Sequence, residues 1–313
     1  MKKNQFNIIF LLVTILLSMT IVGCSNDNQN SEESKDVEKG QELGEKKVTL
    51  STDTYVSNIG ATHVVESLLN EVGYDAEVVE TDVGVQFTGL ADGSFDASVG
   101  LWLPTTHESY WNEYKDDLEK MSMVTEEVEL ALTVPSYMED TNSIEDLVDN
   151  KNGIGEDLDW QITGISPGAG MMEITENDVM PGYGLDEDWD LQSSSGAVMA
   201  TELKSAIEDE EPIVVTLWTP HWTFNQFDLK MLDDPKNEYG DPDDIYSMSR
   251  KGFKDESPIA YQIIDQFEWS KEQNQEVMYS IQSGMSGPEA AEKFIEENPD
   301  MKEKWLEDIT IEE

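Results

Sequence analysis

Two short stretches decide how this chain reads: Leu101-Trp102-Leu103-Pro104-Thr105-Thr106-His107 and Leu217-Trp218-Thr219-Pro220-His221-Trp222. Each closes an apolar, β-rich run, Phe95 to Leu103 in one case and Pro212 to Trp218 in the other. Each therefore sets Trp, Pro and His at the carboxyl end of a strand. In α/β folds a ligand lies beyond the carboxyl ends of the parallel strands. A single Trp in such a place is ordinarily core packing. Two alike clusters in separate parts of the chain predict instead the lining of one cleft. Facing indole rings suit a diffuse cation such as a quaternary ammonium, which is drawn to the negative ring face.

Outward from these stretches, strand-like and helix-like runs alternate. Lys47 to Thr52 reads as a strand, and Thr62 to Val72 as a helix that Gly73 stops. There Val64, Val65, Leu68, Leu69 and Val72 share one face. Strands follow at Asp75 to Glu80 and at Glu127 to Val134, which ends at Pro135. A second set comprises strand Gln161 to Ser166, a helix from Met171, strand Trp189 to Ser193 and helix Ala197 to Glu211. The tail from Asp244 reads as mostly helical, including Lys271 to Ser283 and Pro288 to Glu296. Strands separated by helices predict parallel sheets with right-handed crossovers. The expected class is α/β, in two lobes: residues 47–137 with 225–313, and residues 138–224. The cleft between such lobes is where a ligand sits.

Composition narrows the function. The chain has 313 residues, with Lys+Arg 19 against Asp+Glu 67, a formal net charge of -48. Arg250 is the only arginine, and no Lys or Arg occurs from Val48 to Tyr114. Nucleic acid is excluded as a partner, because phosphate binding needs clustered basic side chains. Such self-repulsion weakens a compact state in dilute medium and is screened in brine, where the Debye length falls to about 3 Å at 1 M salt. A salt-rich exterior is the expectation; a thermal midpoint indifferent to NaCl would remove it.

The first residues carry an export address. Lys2 and Lys3 precede an apolar stretch, Phe6 to Leu17, too short for a spanning helix and followed by Ile21-Val22-Gly23-Cys24. Ile-Val-Gly-Cys resembles the bacterial lipoprotein box, which implies cleavage after residue 23 and lipid on Cys24. Two or more acyl chains then hold the protein at the membrane. Residues 25–46 contain no aromatic residue and only Val37 and Leu43 as aliphatics, so residues 24–46 read as a flexible tether. Cys24 is the sole cysteine, which excludes an internal disulfide and a thiolate metal cluster.

One enzyme pattern competes. Gly164-Ile165-Ser166-Pro167-Gly168 matches the G-x-S-x-G elbow, with Asp190 and His221 following in triad order. The oxyanion hole of that motif needs the N–H of the residue after the nucleophile, and Pro167 has none. A tight glycine turn explains the stretch better, and an esterase using Ser166 stays as the alternative. The three histidines show no metal-ligand spacing, no cofactor motif is present, and acid pairs such as Asp243-Asp244 read as solvated surface.

Several motifs then occur in one order: LWLPTTH (101–107), GISPGAG (164–170), SSSGAVMA (193–200), LWTPHW (217–222), DDPKNEYG (233–240) and SRKGF (249–253). With these the chain resembles, from about residue 47 to 310, the glycine betaine/proline betaine-binding proteins of bacterial ABC importers. The resemblance implies a two-lobe periplasmic-binding-protein fold (Venus-flytrap, type II-like), no catalysis and no cofactor. It also implies a small zwitterionic osmolyte as ligand and a membrane permease as partner, on the extracytoplasmic face. Trp102 and Trp218 are implied as two walls of an aromatic box, and His107 with the amides of Gly164 and Ile165 as a carboxylate clamp. Phe87 stands where the family pattern has a third Trp, and its weaker quadrupole implies a loss of some part of ~1 kcal/mol. Tyr55 and Trp222 are implied as extra lining, and Ser166 replaces the usual Asp. Carnitine, choline, proline betaine or a sulfonium analogue remain open beside glycine betaine.

Overall fold

A computed structural model describes residues 42–310. The expected signal segment, Cys24 and the tether up to residue 41 lie outside the described residues. Strands β1 (Lys47–Thr52), β2 (Asp75–Glu80), β3 (Ala97–Leu103), β4 (Leu118–Pro135), β5 (Gln161–Thr163), β6 (Asp190–Gln192), β7 (Val215–Thr219), β8 (Leu229–Met231) and β9 (Asp243–Arg250) join in the order β2-β1-β3-β9-β4-β7-β5-β6. β8 pairs with the far end of β4.

The sheet is mixed, where crossovers alone predicted parallel pairing. β1 runs parallel to β2 and β3, and β5 parallel to β6 and β7. β9 is antiparallel to β3 and β4, and β7 antiparallel to β4. β4 is the common strand: residues 118–128 pair with β9, while 129–135 pair with β7 and β8. Its register slips repeatedly along the β9 half, so bulges turn the strand from one lobe into the other.

The tail is mostly helical as expected, but it opens with a strand, β9, that the helical reading did not separate. Its buried face includes Ser247 and Ser249, both fully buried, so the apolar alternation that marks a strand is broken by hydroxyls. Asp243, read as solvated surface, is likewise buried.

Three helices place the site. α1 (Val56–Val72) covers β1 and β3 with Val64, Val65, Leu68 and Leu69, all fully buried and each contributing about 1.5–3 kcal/mol by burial. The helix ends as expected at Gly73, whose left-handed backbone (φ 110°) returns its N–H to Asn70 and Leu69. On its outer side α1 packs against helices Lys271–Gln282 and Gly287–Glu297. α2 (Val83–Asp92) buries Val83, Phe87 and Leu90 on one stripe, and α3 (Glu108–Tyr114) starts directly at His107.

Candidate ligand-binding site

The carboxyl ends of β1, β3 and β7 and the loop after β5 converge on one cavity. Trp102 on β3, Trp218 on β7 and Tyr55 before α1 supply aromatic walls; His107, Asp53, Ser57 and Asn58 supply polar ones, and Ile165 lines the cavity beside them. Leu130, opposite Trp218 in the β4–β7 register, closes the floor.

The Trp102–His107 hexapeptide forms a closed turn. His107 N–H donates to Trp102 O at 3.0 Å, and Trp102 N–H donates to His107 Nδ1 at 3.1 Å. The buried Asp243 carboxylate accepts from the Thr105 and Thr106 amides at 2.5 and 2.9 Å, and also from the Thr106 hydroxyl. Burial raises the Asp243 pKa, and these donors oppose the rise. Sequence reasoning missed this anchor, since nothing in Asp243-Asp244 distinguishes a buried acid from a solvated one.

His107 is buried, and desolvation pushes its pKa down to about 3. The ring is therefore neutral near pH 7, and Nδ1 already accepts a hydrogen bond from the Trp102 N–H. Its hydrogen then resides on Nε2, which makes the imidazole a neutral donor. Phe87 supports this ring rather than reaching the cavity. It is fully buried, meets His107 edge-on at 5.6 Å and stacks on Tyr110 at 5.1 Å. The α2 residue on the cavity wall is Val83, one helical turn earlier.

Trp218 is held by two rings set edge to face, Tyr55 at 5.0 Å and His221 at 4.7 Å. Its indole Nε1 is buried without a hydrogen-bond partner. Burial pushes the Tyr55 phenol pKa up, with the neighbouring Asp53 adding to the rise and Ser166 acting against it. The third aromatic wall is thus Tyr55. Trp222 is turned away: it packs on His221 at 5.6 Å and borders a separate hollow with Asn225 and Tyr279.

The amides expected at residues 164 and 165 differ. Gly164 N–H is committed to Gln192 O at 2.8 Å. Ile165 N–H meets only the Met172 sulfur, at 3.2 Å, a weak acceptor that a carboxylate oxygen displaces readily. Among the described residues His221 Nδ1 pairs with Thr223 Oγ1 at 2.7 Å, and neither Ser166 nor Asp190 hydrogen-bonds its ring. No triad forms.

Contacts bridge the loops across the cleft. Tyr110 OH donates to Gly168 O at 3.0 Å, and Ser109 Oγ to Glu173 Oε2 at 2.8 Å. A Cβ on Gly170 would stand 1.8 Å from Thr106 O, so only glycine permits this approach. Chemically, the cavity offers ring faces to a soft cation and neutral N–H donors to an anion.

The chain matches the OpuAC family, described as the substrate binding domain of ABC-type glycine betaine transport systems, over residues 46–297. It is 48% identical over 162 residues to the glycine betaine/carnitine transport binding protein GbuC of Listeria monocytogenes serotype 1/2a (strain 10403S). That match covers 51% of this chain and 54% of GbuC, so it spans about half the length of the curated relative. Lactococcal OpuAC, solved in a closed-liganded conformation with glycine betaine, superposes with TM-score 0.78 at 36% identity, covering 84% of this chain and 100% of that one. The glycine/betaine/L-proline-binding protein ProX of Borrelia burgdorferi gives 0.79 at 29% identity, covering 84% and 97%. The fold is that of the two-lobe substrate-binding proteins, and the family is one of transport components and not of enzymes. The chain belongs to the family of substrate-binding domains of ABC-type glycine betaine transport systems.

Proposed function

We propose that this chain is the extracytoplasmic receptor of an ABC importer for glycine betaine or a closely related quaternary-ammonium osmolyte. The onium group sits against Trp102, Trp218 and Tyr55. The carboxylate is held by His107 Nε2–H and Ile165 N–H, with Gly164 shaping the turn and not donating. One observation carries this reading: three aromatic walls and a neutral imidazole donor share one cavity. Methylated cations lose water cheaply and gain from ring faces, whereas a carboxylate needs real donors. Because the walls come from loops on both sides of the cleft, the closed form alone satisfies both ends of the ligand. Binding therefore shifts the open–closed population by that difference in contacts.

The lobes in this reading meet within β4, between Val128 and Glu129, and again between Met231 and Asp243. This shifts the expected boundaries at 137/138 and 224/225, on the support of the strand pairing. In this reading an export signal over residues 1–23, lipid on Cys24 and the tether hold the receptor at the extracytoplasmic face of the cell membrane, beside its permease. Cys24→Ala should release it from the membrane fraction; retention there would contradict the anchor.

Isothermal titration with glycine betaine, carnitine, choline and proline betaine at high salt tests the ligand class. Saturable heat with at least one of them is expected, and none with proline or acetate. No heat from any quaternary ammonium would overturn the proposal.

A further inference from the structure

Asp53 belongs to the cavity yet has no part in the binding scheme above. It follows β1, two residues before Tyr55, and is 4% exposed. One carboxylate oxygen accepts the Tyr55 N–H at 2.9 Å and the other the Asn58 Nδ2–H at 2.5 Å. Among the described residues no Lys, Arg or His pairs with it. The groups around it are Glu80 at the end of β2, the Tyr55 phenol, and Ser57 and Asn58 of α1; Thr106 and the neutral His107 line the same cavity. Glu80 is acidic and the others carry no charge. The Ser57 hydroxyl on this wall is buried without a partner.

We infer that Asp53 determines whether the cavity prefers a net-cationic quaternary ammonium or a zwitterionic one. The inference rests on the quaternary-ammonium reading of the site. A buried carboxylate without a counter-charge is costly, and a ligand of net charge +1 supplies that counter-charge. A zwitterion brings its own carboxylate, which repels an ionised Asp53 across a small cavity. Once Asp53 is protonated the order reverses: the zwitterion loses the repulsion and the cation loses its partner. Burial lifts the Asp53 carboxyl to about 7, against the pull of Tyr55 N–H and Asn58, and Glu80 adds to the rise. Both protonation states are therefore reached near neutrality.

Isothermal titration with choline and with glycine betaine, at about pH 5.5 and about pH 8.5, reads the preference on either side of the Asp53 titration. Neither probe changes charge over this range. In the wild-type protein the choline-to-betaine affinity ratio should rise about tenfold or more towards the higher pH, the effect of at least ~1.4 kcal/mol of differential interaction. In Asp53→Asn the ratio should stay at its low-pH value throughout. A wild-type ratio that ignores pH, or an equal change in Asp53→Asn, would overturn this inference and leave the ligand class standing. Failure of choline, glycine betaine, carnitine and proline betaine alike to bind at either pH would overturn both. The wild-type series needs no variant, so a folding defect in Asp53→Asn does not blunt the test.

Discussion

The Trp102 amide donates to His107 Nδ1 at 3.1 Å, so the motif that supplies an indole wall also fixes the tautomer of the imidazole beside it. Both groups belong to one turn, which Asp243 ties down through Thr105 and Thr106. Nitrogen-detected NMR of the ligand-free protein should find His107 neutral, with its proton on Nε2, from about pH 9 down to about pH 5, because burial holds its pKa near 3. A midpoint in the ordinary histidine range would remove the neutral-donor role.

The walls can be told from their supports. Trp102→Ala and Trp218→Ala should each weaken betaine binding by about 1–3 kcal/mol, from lost contact area and cation–π attraction. Trp222→Ala should leave affinity within about twofold, since its ring borders a different hollow. Titration of all three variants checks the ranking; an equal loss in Trp222→Ala would contradict the placement.

Closure leaves no room at residue 170. In Gly170→Ala the new methyl would meet Thr106 O at 1.8 Å, a backbone atom that cannot swing aside. If opening the cleft separates the Gly170 and Thr106 loops, the clash is relieved, and the ligand-free melting temperature should change little. Affinity should fall by about tenfold or more, because ligand must work against a blocked closed state. Small-angle scattering with saturating ligand should show no contraction in the variant. Contraction equal to wild type would refute the clash.

Stability should depend on pH through Asp53 with a definite sign. Its folded pKa, about 7, lies above the ordinary aspartate value, so the folded state holds the proton more tightly than the unfolded one. The group is therefore least costly to the fold below about pH 4. Stability is lost as pH rises from there to about 7 and stays lost above. Asp53→Asn should gain about 1–4 kcal/mol over wild type at pH 8 and nothing at about pH 4, by denaturant unfolding. Comparing variant with wild type cancels His107 and His221, whose lowered pKa values act the opposite way, losing stability as pH falls below the ordinary histidine value. A gain that does not vary with pH would contradict the assignment.

What could be read from sequence follows from what each residue signals alone. Trp102, Trp218 and His107 stand in contiguous strand-end motifs, where the strand's direction itself sets the residues at the cleft. α1 and its Gly73 stop were legible for the same local reason. Phe87 was misplaced because its helix position gives a face but not a depth: the apolar stripe of α2 carries it behind His107 and leaves Val83 at the wall. Trp222 follows Trp218 by four residues, yet a turn separates β7 from the next helix and sends the two rings to different cavities. Asp53 and Asp243 stood out little, since in a chain with 67 acids the two that are buried among the described residues look like the rest. β9 hid for a related reason, its core face being part serine. Asp53 does stand at a strand's carboxyl end, the one sequence cue that could have singled it out.

A crystal structure with glycine betaine bound tests the central claim most directly. The methylated nitrogen should lie within about 6 Å of the ring centroids of Trp102, Trp218 and Tyr55. One carboxylate oxygen should lie about 2.7–3.2 Å from His107 Nε2, with Ile165 N–H turned from the Met172 sulfur to the ligand. A ligand seated the other way round, with its carboxylate against the indoles, or bound outside this cavity, would contradict the account.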